Sequence, residues 1–422
     1  MIQALCVAAC IALSNAAVID GTGAAPVAGR TVVIEQGRIA AVFATGSRAL
    51  PARAQVIDLT GRWLLPGFID SHVHVATDPT GSDANAPELL RGALLGGVTS
   101  VRDMAGDAIA LQALAARSRL ADAVMPRLYY VALVAGPSFF TDSRTKASAH
   151  GGTPGELPWL RAITPSTDLP AVVREAKATG ATAIKIYADL PAELVARVTA
   201  EAHRQGLRVW SHSSVFPANA GDATVAGVDV LSHALYLYWA AIPNPPQHYS
   251  DRVPPRSAYD SVPADGRAMR ALFAKMRARG TVFDATLFVA QRFEAARGPA
   301  FGLVDPSKAA QWAYDATRAA KNAGVIVSAG TDGFMPQAGD GPPNVHREME
   351  LLVKKSGFSP LEAITAATLN GALAIGAADS LGTIAVGKLA DLVVLSADPV
   401  ADIANTRQVV MVLRGGVVHR KP

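Results

Sequence analysis

Leu65-Pro66-Gly67-Phe68-Ile69-Asp70-Ser71-His72-Val73-His74 is the stretch from which the rest of the chain is read. A Pro-Gly turn signal leads into an apolar run, which predicts a β-strand over Phe68–Val75. His72 and His74 lie two apart, so both side chains leave the same face of the pleat. Two neutral imidazoles converging on one point suit a divalent transition metal. An isolated His-x-His is weak evidence for a ligand pair, so the argument turns on what stands at the matching places downstream.

Downstream, one pattern repeats: a short apolar strand, a polar loop, then an alanine-rich helical stretch carrying charges. Besides Phe68–Val75, strands are predicted over Thr99–Met104, Arg127–Leu133, Ala183–Tyr187, Arg208–Ser213, Asp229–Ala234, Thr281–Thr286 and Ile326–Asp332. Glu193–Gln205 and Pro360–Ile375 carry apolar residues at helical spacing and predict helices. Eight strand–helix units argue an α/β fold of the (β/α)₈ TIM-barrel type, although an open doubly wound sheet would give the same alternation. His212 ends the fifth strand, His233 the sixth and Asp332 the eighth. Lys185 sits in the fourth between Ile184 and Ile186, an apolar setting in which a free ammonium is costly. In a closed barrel, inward residues at these strand ends share one mouth.

The two ends of the chain read differently. Residues 30–58 and 381–420 are short β-like runs broken by glycines and charges, with strands expected at Leu392–Leu395 and Val409–Leu413. Neither end has enough chain to bury a sheet alone. The expected organisation is a small β-sandwich domain built from residues 1–66 and 377–422, around a barrel spanning 67–376. The apolar opening with Cys6 and Cys10 is too interrupted to span a bilayer, which takes about 20 apolar residues. Val7-Ala8-Ala9-Cys10 loosely matches a lipoprotein cleavage box, and a signal remnant is the competing reading. Ile11–Ile19 leading into Asp20-Gly21-Thr22-Gly23 favours a first strand instead, which favours the cytoplasm over a periplasmic or secreted location.

Of the 422 residues half are hydrophobic and 18% are charged, which suits a large buried enzyme core. A net charge of +4 without basic runs argues against nucleic acid as a partner. Two cysteines cannot form a disulfide framework.

With these residues in hand, the run Leu65–His74 resembles the opening of the amidohydrolase superfamily barrel. His72, His74, Lys185, His212, His233 and Asp332 together resemble its binuclear-metal subtype. Val18-Ile19-Asp20-Gly21-Thr22-Gly23 and Gly387-Lys388-Leu389-Ala390-Asp391-Leu392-Val393-Val394 are similar to the family's flanking sandwich strands. Ala183-Ile184-Lys185-Ile186-Tyr187 and His346-Arg347-Glu348 look closest to the prolidase-like and imidazolonepropionase-related dipeptidase branches. The resemblance implies two divalent metal ions, zinc first among the metals that accept N/O ligands. His72, His74 and Asp332 would hold the more buried ion, His212 and His233 the more exposed one, and Lys185 would carry a CO₂-derived carbamate bridging both. It also implies a metal-activated water, with Asp332 as the catalytic proton shuttle. Asp70 is read either as a partner orienting a ligand histidine or as a turn residue.

The expected substrate is a small molecule with an amide bond, a dipeptide or N-acyl amino acid. Specificity is expected from the long inserts 135–168 and 240–262, because barrel enzymes vary their chemistry through βα loops. Candidate substrate contacts are Tyr187, Arg144, Lys146, His150, His248, Arg252 and His346, the last read as a loop residue near the mouth. Three alternatives stand beside this. A deaminase of the same superfamily would carry Glu three residues after His212, where this chain has Val215. A lactonase or phosphotriesterase would use the same six ligands. A non-catalytic scaffold on the fold would typically lack them. A homo-oligomer is expected from the resemblance.

Overall fold

The computed structural model describes residues 10–77, 85–252, 258–295, 305–334 and 343–420. Cys6 and the proposed cleavage box up to Ala9 lie outside the described residues. Ile11–Val18 is a strand, as its apolar pattern predicts.

Eight parallel strands form the barrel: Phe68–His74, Val98–Asp103, Arg127–Ala135, Ala183–Ile186, Arg208–His212, Val230–Ser232, Val282–Asp284 and Val327–Ser328. They are called strands one to eight below. Each hydrogen-bonds to the next in parallel register. Strand eight is shorter than its sequence suggests. After it the chain runs irregularly to Gly333–Phe334, which pairs with strand one at Gly333↔Val73. The ring thus closes across one segment whose first part bonds strand seven and whose last part bonds strand one. Gly330 makes that passage possible: a Cβ there would lie 2.0 Å from Asp284 Oδ1 and 2.7 Å from His72 Cβ. Any side chain at this position would displace His72.

The surrounding helices bury one stripe each. Ala192–Arg204 buries Leu194, Val195, Val198, Thr199 and Ala202, the i, i+3, i+4 spacing that predicted it. Each Leu or Val buried this way stabilises the packed state by about 1.5–3 kcal/mol. Pro360–Ile375 departs from expectation, forming two short helices, Pro360–Ala366 and Leu369–Ile375. The break has a cause in the barrel. The carbonyls of Ala366 and Ala367 accept hydrogen bonds from Ala329 N (3.0 Å) and Ile69 N (2.7 Å), so they turn toward strands eight and one.

Both chain ends contribute to one mixed eight-stranded sheet. Trp63–Pro66 joins them, pairing parallel with Ile11–Val18 and antiparallel with Leu392–Leu395. Asp391 fastens this sheet to the barrel: it accepts from Arg127 Nε (2.7 Å) and Nη2 (3.1 Å) and from Gly415 N (2.6 Å). The fold matches the expected barrel with a sheet assembled from both termini. No helix among the described residues is long and apolar enough to cross a membrane.

Candidate active site

His72 is fully buried on strand one, and its ring is held from behind. Asp284, at the end of strand seven, places Oδ2 2.7 Å from His72 Nδ1 and also accepts from Ser232 Oγ at 2.9 Å. An ionised carboxylate only accepts, so the neutral imidazole carries its proton on Nδ1 and turns the Nε2 lone pair into the mouth. That buried Nε2 has no hydrogen-bond partner, although Asp332 Oδ1 lies 3.1 Å away. In that neutral tautomer Nε2 and Asp332 Oδ1 would face each other as two acceptors, an arrangement suited to a cation. Asp332 Oδ1 is also 3.0 Å from His74 Nε2. The ligating atoms of His72, His74 and Asp332 lie within 4.8 Å of one another and could hold a metal ion. The expectation that this is the more buried half of the centre is corrected: the side chains of His74 and Asp332 are 21% and 22% exposed, whereas His212 and His233 are buried.

Asp332 comes to this spot on a left-handed backbone, φ 48°, its N–H donating to His72 O at 2.8 Å. Asp70 supports the same junction. It accepts from Thr331 N (3.0 Å), Thr331 Oγ1 (2.9 Å) and His72 N (3.3 Å). Asp70 therefore orients His72 through its backbone, and Asp284 is the residue that orients its ring.

His212 and His233 stand beside the cluster. Their rings are 4.5 Å apart, and the His233 ring is 5.0 Å from that of His72. His233 Nδ1 is 3.6 Å from Asp332 Oδ2 and 3.1 Å from Thr286 Oγ1. His212 Nδ1 lies 3.1 Å from both Ser214 N and Ser214 Oγ. Burial, then the neighbouring histidine and lysine charges, pushes the pKa of His212 well below the usual range. Burial does the same to His233, overriding the opposing pull of Asp332. Both are therefore neutral, the form that ligates metals. Burial would raise the Asp332 carboxyl, but the His72 and His233 imidazoles hold it well below the carboxylate range.

Lys185 is 1% exposed and has no ion-pair partner among the described residues. Its Nζ lies 5.3 Å from the centre of the Tyr187 ring. Burial pushes its pKa down to about 8 against the pull of Asp332, Asp284 and Asp103. Its place inside the barrel agrees with the sequence reading.

Tyr187 belongs to an aromatic wall on one side of the mouth. Its ring is 5.0 Å from His212, 4.6 Å from Phe139 and 5.4 Å from Tyr249. Among the basic loop residues, Arg144 has its fork on Asp142, with Nε 3.0 Å from both carboxylate oxygens and Nη2 2.6 Å from Oδ2. Lys146 is exposed on the same 3-10 turn, Ser143–Ser148. Arg252 stacks over Tyr249, Cζ 3.6 Å from the ring centre, and donates Nη1 to Tyr249 O at 2.7 Å. Its buried Nε has no partner among the described residues. His150 is half-exposed, Nδ1 2.5 Å from Asp107 Oδ2. His248 is exposed, 3.4 Å from Ser138 Oγ.

His346 is a correction. It lies in the helix Asn344–Lys354 and is fully buried. Its Nε2 is 2.9 Å from Gly96 O and its Nδ1 is 3.0 Å from Thr406 Oγ1, and it meets Phe68 edge-to-face at 5.3 Å. Gly96 precedes strand two and Thr406 precedes a terminal-sheet strand, so the imidazole links helix, barrel and sheet far from the mouth.

Sequence reasoning missed Asp284 and Tyr249. A carboxylate in the apolar strand Val282-Phe283-Asp284 was the available signal for the first. Tyr249 had none, since a loop sets its position.

Comparison with known proteins agrees with this geometry. Ochratoxinase from Aspergillus niger is 33% identical over 156 residues, which are 35% of this chain and 31% of that protein. The match thus spans about a third of that relative's length. The crystal structure of a Xaa-Pro dipeptidase superposes with a TM-score of 0.76 at 21% identity, covering 98% of this chain and 100% of the other. The structure of A. niger ochratoxinase gives 0.75 at 22% identity, with 98% and 96% covered. Both show the shared fold. The model of the amidohydrolase family matches residues 63–418, nearly the whole length over which the barrel and its closing sheet run, and the chain belongs to that family.

Proposed function

We propose that this chain hydrolyses the amide bond of a small carboxylate-bearing substrate, a dipeptide or N-acyl amino acid, at two divalent cations. The observation that carries the reading is the convergence of His72 Nε2 and Asp332 Oδ1, 3.1 Å apart, with His74 in one group whose ligating atoms all lie within 4.8 Å. His72, His74 and Asp332 would hold one cation and His212 and His233 the other, with Lys185, carboxylated by CO₂ on its neutral amine with loss of a proton, as a further anionic ligand. Zinc suits the N/O donor set, as cobalt, manganese and iron also do. Such cations supply a Lewis acid and a water acidic enough to ionise near neutral pH. The chain's own residues do the rest. Asp332, partly exposed at the mouth, takes the proton of the attacking water and delivers it to the leaving amine. Tyr187 and the rings packed on it wall off one side of the reacting bond. Arg252, with a buried unpartnered Nε, receives the substrate carboxylate. Arg144 is the weaker candidate because Asp142 already occupies its fork. The amide-cleaving relatives, an ochratoxinase and a Xaa-Pro dipeptidase by name, support amides over other acyl groups.

The test is a rate comparison on metal-loaded protein across dipeptides, N-acyl amino acids, lactones and aryl phosphates. Amides should turn over fastest, and each free acid should outrun its methyl ester. Faster lactone or aryl phosphate cleavage would overturn the amidase reading. Equal turnover of acid and ester would remove the carboxylate contact.

A further inference from the structure

We infer that Asp189 is a positioning residue that latches the loops of the mouth together and thereby sets where Arg252 meets the substrate carboxylate. Asp189 follows strand four in Tyr187-Ala188-Asp189-Leu190 and is not a metal ligand. It adopts a left-handed backbone, φ 57°, which Asp tolerates better than most side chains.

Four βα loops converge on this residue. Its N–H donates to Val215 O, after strand five, at 2.7 Å. Its Oδ2 accepts from Ser138 Oγ, after strand three, at 2.7 Å. Its Oδ1 accepts from Tyr249 N, after strand six, at 2.6 Å. The strand-three loop is fitted closely as well. Gly136 N donates to Ala188 O at 2.8 Å, and a Cβ on Gly136 would sit 2.2 Å from Asp189 O.

What the latch places is chemically relevant. Ser138 precedes Phe139, whose ring packs on Tyr187 at 4.6 Å. Tyr249 packs on Tyr187 at 5.4 Å and on His212 at 5.6 Å. Arg252 lies over the Tyr249 ring and bonds its carbonyl. Asp189 thus reaches the substrate only through Tyr249 and Arg252, and the inference rests on the reading that Arg252 receives a carboxylate.

Three variants of the metal-loaded protein test it. Asp189→Ala should keep its metal content and keep kcat within about twofold, while KM for the free-acid substrate rises about tenfold and the preference over the methyl ester collapses. Asp189→Asn should retain most of the wild-type behaviour, because its amide oxygen can accept from Tyr249 N while its NH₂ donates to Ser138 Oγ. Ser138→Ala removes one arm alone and should give a smaller rise in KM, which keeps the test open if Asp189→Ala fails to fold. Hydrogen exchange at Tyr249–Arg252 should quicken in Asp189→Ala and not in Asp189→Asn, a readout independent of any substrate. Unchanged KM and unchanged exchange in a folded Asp189→Ala would overturn the latch, as would loss of metal or kcat at constant KM. If the wild type itself ignores the carboxylate, the substrate reading fails, and the exchange result alone then decides the latch.

Discussion

At the strand ends, His72, His212, His233 and Lys185 are buried; Lys185 pairs with Leu133 and Trp210 on its two sides, His212 pairs with Ser232, and His233 N donates to Asp284 O at 2.9 Å. In the loops above, Arg144, Lys146, His150 and His248 are exposed, Arg144 held by Asp142 two residues away, His150 by Asp107 and His248 by Ser138. The first region is positioned by backbone hydrogen bonds that would form with almost any side chain. The second is positioned by individual side-chain bonds, such as those of Asp189, that one substitution removes. Chemistry is therefore built on the rigid layer and selectivity on the adjustable one.

Substitutions can break or sharpen that contrast, and the largest effects belong at the strand ends. His72→Ala or His233→Ala should lower kcat on the order of a thousandfold or more with loss of bound metal, measured by turnover and metal analysis. Retention of full activity without metal would end the comparison at once. Lys185→Arg should fall nearly as far, because arginine keeps a fixed positive charge and cannot take up CO₂ in this way. Near-normal turnover in that variant would require a site with fewer ligands. His346→Leu probes a buried residue away from the mouth. It should lower unfolding free energy by about 1–3 kcal/mol through lost buried hydrogen bonds while leaving kcat alone, read from denaturant melts beside kinetics. In the loops, Arg252→Ala should raise KM for a free-acid substrate about tenfold with little change in kcat. Lys146→Ala should stay within about twofold in both constants, since an exposed unpaired lysine contributes little. A large Lys146 effect with a small Arg252 effect would reverse the assignment of the carboxylate contact.

His346 shows why the two layers differ in legibility. In sequence it sits in His346-Arg347-Glu348 shortly after strand eight, at the distance where mouth loops begin. The chain instead enters a helix there, and the imidazole turns toward Gly96 O and Thr406 Oγ1, residues 250 and 60 positions away. Nothing local to His346 records those partners. Glu348 points the same way, accepting from Leu287 N at 2.9 Å and Phe288 N at 2.6 Å. The split of Pro360–Ile375 into two helices is likewise imposed by strands that take its carbonyls.

The sequence by itself determined the alternation of strands and helices, and it placed His72 and His74, Lys185 and His212 on strands one, four and five. Those features follow from periodicities of two and 3.6 residues, which are written in local order. Only the tertiary structure decided which carboxylate orients His72, and that Asp189 gathers Ser138, Val215 and Tyr249. Hydrogen bonds between residues dozens to hundreds of positions apart depend on where the barrel brings its loops, and the spacing along the chain carries no record of that.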